Sequence, residues 1–181
     1  MTTLLPHRWT IEDYHRIVAT GVLAEYHCEL IRGEIIDMPP EGPEHAHRCE
    51  TAGRYLERLF GTGWWARQGK PITLLNSEPE PDIAIVREQD YSSRHPTPED
   101  ISLIVEYSFS TQAKDTGVKR DIYAEADIPN YIVVDLKNAK VIHYCNPVNG
   151  KYTSEQSCDY GFIEVAGLQI DVRRLLPLRS E

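Results

Sequence analysis

No stretch of the sequence approaches the run of about 18 apolar residues that a membrane-spanning helix requires. The opening segment, MTTLLPHRWTIEDY, has no basic region followed by a long apolar one, which argues against a secretory signal and for a cytoplasmic location. Cysteine pairs at metal-ligand spacing are also missing. Cys28, Cys49, Cys145 and Cys158 never form C-x-x-C, so zinc knuckles and thioredoxin-type redox chemistry are poor readings, and reduced thiols in a core are the better one. Repeats, low-complexity tracts and shifts of composition are absent. So is any excess of positive charge: 19 basic against 28 acidic side chains leave a net charge of −9. Proteins that grip duplex DNA by neutralising phosphates are usually basic over at least one face, so a nucleic-acid substrate here requires locally concentrated positive charge or metal ions.

What is present is the composition of a soluble globular protein, with 41% hydrophobic and 26% charged residues in a length of 181, enough for one domain with its own core. Thr10 caps an amphipathic helix in which Ile11, Tyr14, Ile17 and Val18 share a face and Asp13 stands at the third position, with Gly21 closing it. Residues 26–38 form two extended runs around Arg32-Gly33, a hairpin signature, and Pro39 to Pro43 mark a loop. Cys49, Ala52, Leu56, Leu59 and Phe60 recur at helical spacing over 44–60. Extended runs are expected at 64–68, 72–75 and 82–86, then an exposed loop over 87–100 and a strand over 101–109 that is apolar enough to be buried on both faces. A helix over 114–126 turns Val118 and Ile122 to the core. The strand 131–136 leads through Lys137-Asn138-Ala139 into a hairpin, and Asn146 to Gly150 turn the chain into a last extended run near Tyr152. The order predicts an α/β fold, a central mixed sheet flanked by helices.

Two carboxylates stand where carboxylates are costly. Asp82 opens the strand after Pro79-Glu80-Pro81, and Glu106 interrupts the apolar run Ile104-Val105-Glu106-Tyr107. An unpaired ion removed from water costs several kcal/mol, so Glu106 needs a cation, a metal or a proton. If the two strands are antiparallel neighbours, setting Asp82 opposite Glu106 also sets Arg87 opposite Ile101, so the composition-defined ends coincide. The two Cβ atoms are then about 4.5–5.5 Å apart on one face, and the like charges repel unless a divalent cation lies between them. Magnesium accepts such oxygen ligands, with water and substrate phosphate completing the shell. Asp115, Lys119 and Tyr123 are spaced to share a helical face, which brings an ammonium group towards Glu106 to orient water or offset charge on a phosphate. Each residue also has an ordinary reading: Asp82 as a strand-end turn residue, Glu106 in a buried salt bridge to arginine, Asp115–Lys119 as a surface pair, Tyr123 as an aromatic at the core edge.

The ordered series Glu29-Leu30-Ile31-Arg32-Gly33-Glu34, Met38-Pro39-Pro40, Glu44-His45, Pro81-Asp82-Ile83, Val105 to Thr111, Asp115-x-x-x-Lys119-x-x-x-Tyr123 and Pro129-x-Tyr131-x-x-Val134-Asp135 resembles the Uma2 family of restriction-endonuclease-like proteins, within the PD-(D/E)XK nuclease superfamily. The resemblance runs from about residue 10 to about 175. It implies a restriction-endonuclease-like core and cleavage of DNA phosphodiesters that depends on Mg²⁺ or Mn²⁺. Asp82 then matches the aspartate of the PD motif, and Glu106 the acidic residue of (D/E)XK. These two, with the backbone carbonyl of Tyr107, would hold the metal. Ser108 stands where the superfamily has its lysine, and Lys119 on the following helix is the matching position. His45, Glu29, Asp115 and Tyr123 are secondary candidates. Glu29 and Glu34 read more readily as solvated strand charges, and His45 as a residue that packs near a helix start.

On this reading residues 1–181 form one nuclease-like domain: helix and hairpin over 10–38, catalytic core over about 44–136, and a C-terminal hairpin and extension over 137–181. DNA is the expected partner and a homodimer the expected assembly, with Arg48, Arg54, Arg58 and Arg67 as candidate phosphate contacts. Trp64-Trp65 could stack on bases but fit better as strand aromatics packed on the sheet. His47, His95 and His143 show no ligand spacing. Two other classes compete: a nuclease fold kept as a nucleic-acid-binding or regulatory module without strong catalysis, and a protein-interaction domain whose carboxylates form only internal salt bridges.

Overall fold

A computed structural model describes residues 5–108 and 113–176, for 113–116 the backbone only. Helix α1 (Ile11–Ala19) begins at the expected capping box: the Asp13 amide donates to the Thr10 hydroxyl at 3.1 Å, and the Asp13 carboxylate accepts in return from Thr10. Of its apolar stripe only Tyr14 is buried; Val18 is exposed. Strands β1 (Cys28–Ile31) and β2 (Glu34–Asp37) form the predicted hairpin. Arg32 and Gly33 both have positive φ, 50° and 76°, the type I′ geometry whose twist suits a two-residue turn. Helix α2 (Pro43–Phe60) starts with proline in its first turn and stops at Gly61, where φ is 73°.

The central sheet has six strands in the order β3 (Trp64–Arg67), β4 (Ile83–Arg87), β5 (Ile101–Ser108), β6 (Asn130–Asp135), β7 (Lys140–Val148) and β8 (Lys151–Cys158). Only β5 and β6 run parallel, as they must when helix α3 (Ala113–Glu125) joins them by a crossover. One face packs on Cys49, Ala52 and Leu56 of α2, the other on Ile122 and Tyr123 of α3 and Ala126 just past its end. This two-sided cover is why β5 is buried along nearly its whole length. No helix among the described residues is long and apolar enough to cross a membrane.

Several expectations need correction. Residues 72–75 are not a strand: Ile72 and Leu74 are buried, but their amides bond to the carbonyls of Pro79 and Ser77 within a loop. Val118 is 41% exposed, because Ile122 and Tyr123 already fill the contact of α3 with the sheet. Arg87 does not meet Ile101. The β4–β5 register holds over Ile83–Val105, Ala84–Ile104 and Ile85–Leu103, then shifts at a bulge so that Val86 faces Ile101. That extra residue turns Ile101 to the α3 side, together with Ile104. The turn expected over 146–150 contracts to Asn149-Gly150, both at positive φ. The chain then adds a hairpin the sequence reading lacked, β9 (Phe162–Val165) and β10 (Leu168–Asp171), whose Ile163, Val165 and Ile170 complete the α2-side core. Two thiols, Cys28 and Cys49, are buried; Cys145 and Cys158 are only half-buried. Phe109, Ser110 and Thr111, which belong to the motif series, lie outside the described residues.

Candidate active site

Continuing the β4–β5 register one residue past Ile83–Val105 brings Asp82 opposite Glu106 at the sheet end. The main chain fixes the first carboxylate: the Tyr107 amide donates to Asp82 Oδ2 at 2.6 Å. The same oxygen lies 3.0 Å from His45 Nε2, presented by the first turns of α2. This hydrogen bond raises the His45 pKa against the opposing effect of burial, with the charge of Asp82 adding to it.

Glu106 is buried beneath α3 and is reached by two of its residues one turn apart. Tyr123, fully buried, donates its hydroxyl to Oε1 at 2.7 Å, and Lys119 Nζ donates to the same oxygen at 3.2 Å. Lys119 is also 3.3 Å from Glu29 Oε2 on β1, so one ammonium bridges carboxylates from two strands that do not pair. Burial drives the Glu106 carboxyl up, to about 7; Lys119 opposes this, while the charges of Asp82 and Glu29 reinforce it. Burial on its own would lower the Lys119 pKa, but Glu106 and Glu29 outweigh it and hold the ammonium charged. The upward direction holds for Glu106 because a single ammonium shared by two buried carboxylates does not repay the loss of water around it.

The premise that the two carboxylates can coexist only by sharing a doubly charged ion therefore fails. Asp82 leans on an amide and an imidazole, Glu106 on an ammonium and a phenol. Neither partner is the arginine considered as the alternative. These bonds fall on one oxygen of each carboxylate, and a carboxylate offers about four lone-pair sites, so both groups can accept them and still ligate a cation.

Two other expectations change. Glu29 is not a solvated strand charge: it is 5% exposed and takes both Lys119 and the Glu80 amide. Tyr123 is core and site at once. Glu34 is exposed and pairs with Arg8, as a strand charge should. The side chain of Asp115 lies outside those described. Arg48 and Arg54 are occupied by Glu44 and Glu50 one turn away on α2, and Arg67 lies over the Tyr91 ring. Trp64 packs edge-on against Phe60, and Trp65 is 38% exposed.

The sequence model of the Uma2 family, described as "Putative restriction endonuclease", matches residues 11–175. The chain belongs to the Uma2 family. Among solved structures this Uma2 protein is similar to "a putative nuclease belonging to DUF820" from Anabaena variabilis ATCC 29413, with a TM-score of 0.71, 14% identity, and coverage of 92% of this chain and 96% of that one; at that identity the likeness is one of fold. No curated protein is similar enough in sequence to be matched with it. Family and fold together make this Uma2 protein restriction-endonuclease-like and of a nuclease type.

Which metal the Uma2 site suits can be tested on its donors. His45, Cys49 and Asp82 bring one ligand atom each within 4.8 Å of one another, a mixed nitrogen, sulfur and oxygen set. Burial, with Asp82 adding to it, pushes the Cys49 thiol well up, and a protonated thiol is a poor ligand. With the thiol set aside, His45 and Asp82 remain of that group, and the carboxylate oxygens of Asp82 and Glu106 are the donor type that suits a hard cation such as Mg²⁺ or Mn²⁺.

Proposed function

We propose that this Uma2 protein is a single-domain, divalent-metal-dependent endonuclease acting on DNA, with Asp82, Glu106 and Lys119 as its catalytic residues. The observation that carries the reading is the position of Lys119. The superfamily lysine is missing at Ser108, and an ammonium from another element stands 3.2 Å from Glu106 instead. Asp82, Glu106 and the Tyr107 carbonyl would hold Mg²⁺ or Mn²⁺. The chemistry such an ion supplies when bound is polarisation of a phosphoryl oxygen and acidification of a water.

The chain's own residues do the rest. The Tyr107 amide and His45 fix the Asp82 carboxylate, and Tyr123 fixes Glu106, so neither has to be oriented during the reaction. Lys119 holds positive charge beside the place where a phosphate gains negative charge. The acidic surface leaves duplex binding to this local charge and to a homodimer that brings two such sites to one DNA, which sedimentation of the free protein tests.

Nicking of supercoiled plasmid in Mg²⁺ or Mn²⁺, abolished by EDTA and by Asp82→Ala with the fold intact, is the expected result. A native protein as inactive as Asp82→Ala in every divalent ion refutes the reading. The second reading, a nucleic-acid-binding module with weak or no catalysis, draws on the engagement of Lys119 by two carboxylates. It predicts salt-sensitive DNA binding without cleavage. RNA offered in parallel separates the two substrates.

A further inference from the structure

A second group of ligating side chains shares no residue with the Asp82–Glu106 site. His15 comes from α1, Glu78 from the loop before β4, and His95 from the loop between β4 and β5. One ligand atom from each falls within 4.8 Å of the others. His15 Nε2 is 2.8 and 2.9 Å from the two oxygens of Glu78. His95 Nε2 stops 4.0 Å from Oε1, beyond hydrogen-bond range. The two imidazoles stand nearly at right angles, with centroids 6.1 Å apart.

Glu78 is the anchor. It is 3% exposed, and its backbone exchanges two hydrogen bonds with Leu30 across an isolated bridge, so the carboxylate is held while both histidines keep access to solvent. The Thr73 hydroxyl donates to Oε2 at 2.8 Å, the kind of outer hydrogen bond that orients a metal-binding carboxylate. A plain ion pair would leave His95 aimed at a carboxylate it does not reach. A tetrahedral ion with bonds of about 2.0–2.2 Å sets its ligand atoms roughly 3.3 Å apart. The 2.8 Å contact to Glu78 must open and the 4.0 Å gap close by about half an ångström to two-thirds of one.

We propose that His15, Glu78 and His95 form a binding site for a zinc-class divalent ion, with water in the fourth position. Two imidazoles and one carboxylate are a zinc donor set, unlike the oxygen set at Asp82 and Glu106. Binding would take the Nε2 that His15 now turns to Glu78, with the ring proton held at Nδ1. Burial, with Arg67 and His15 adding to it and Glu78 opposing, already keeps His95 towards its neutral, ligating form. The ion would tie α1 to the two loops that flank β4.

The test uses the full chain carrying Asp82→Ala, so that the other site contributes least. Titration with Co²⁺ is expected to give the visible absorption of a four-coordinate ion at one equivalent, and Zn²⁺ to displace it and raise the melting temperature. His15→Ala and His95→Ala, both at solvent-accessible positions, should each abolish the band and weaken zinc binding at least tenfold, and the metal-free His95→Ala protein, which loses no hydrogen bond to Glu78, should melt as before. Thr73→Val should weaken it by about tenfold. Zinc binding left unchanged by both histidine variants, an octahedral Co²⁺ spectrum, or no binding at one equivalent overturns the proposal.

Discussion

Lys119→Met is the perturbation that discriminates most. Methionine keeps an apolar stem of similar length and removes only the ammonium, leaving Glu106 and Glu29 without the cation that stands 3.2 and 3.3 Å from them. Both carboxylates are buried, and the lysine side chain is only 20% exposed. A surface pair is worth about 0–1 kcal/mol. Breaking a buried pair by removing one partner costs about 3–5 kcal/mol, because the remaining charge stays uncompensated. Urea unfolding followed by circular dichroism at pH 8 should therefore show a loss of about 3–5 kcal/mol. Adding Glu29→Gln to Lys119→Met should recover about 1–2 kcal/mol, since one of the orphaned charges is then gone. A loss below about 1 kcal/mol, with no recovery in the double variant, would refute the view that this ammonium is built into the core and would restore the surface-pair reading.

Two further predictions concern stability alone. Burial raises the Asp100 carboxyl, but Arg94 at 2.6 Å, the Thr97 amide, Gln89 and the Thr97 hydroxyl outweigh it and bring the pKa down to about 2. A folded value depressed from 3.8 gives stability that is present in full above about pH 4 and lost as the pH falls through about 2. That contribution is about 2 kcal/mol, and Asp100→Asn should flatten this part of the acid-unfolding curve. Gly33→Ala should cost about 1–2 kcal/mol in thermal or urea unfolding, because Gly33 has φ of 76° and a Cβ would sit 2.9 Å from the Trp9 carbonyl oxygen; a neutral effect would contradict the hairpin geometry.

Local signals read directly into structure where the physics is local. A capping box, an Arg-Gly turn between apolar runs and a 3.6-residue stripe each act over a few residues, and α1, the β1–β2 hairpin and α2 follow from them. The placement of Asp82 and Glu106 one residue beyond the last β4–β5 pair, Ile83–Val105, was legible for the same reason, since the alternation of a strand carries register outwards from any paired residue. The β-bulge was not, because a single inserted residue leaves the alternating pattern intact on either side. The β9–β10 hairpin left only a faint trace: an alternating run around Ala166-Gly167, a weaker turn pair than the Asn-Gly that marks β7–β8.

The sequence by itself determined the α/β order, the buried acid in β5 and the family. Tertiary structure alone decided what surrounds that acid. Glu29 reads as a surface strand charge until the fold lays β1 beside α3 and closes it over with Lys119. His15 and Glu78 are 63 residues apart, and His95 comes from a third segment, so ligand spacing could not reveal them. Periodicity reports which side of an element faces inwards. Which far-off charges then meet depends on loop paths and crossovers, for which a one-dimensional pattern holds no period.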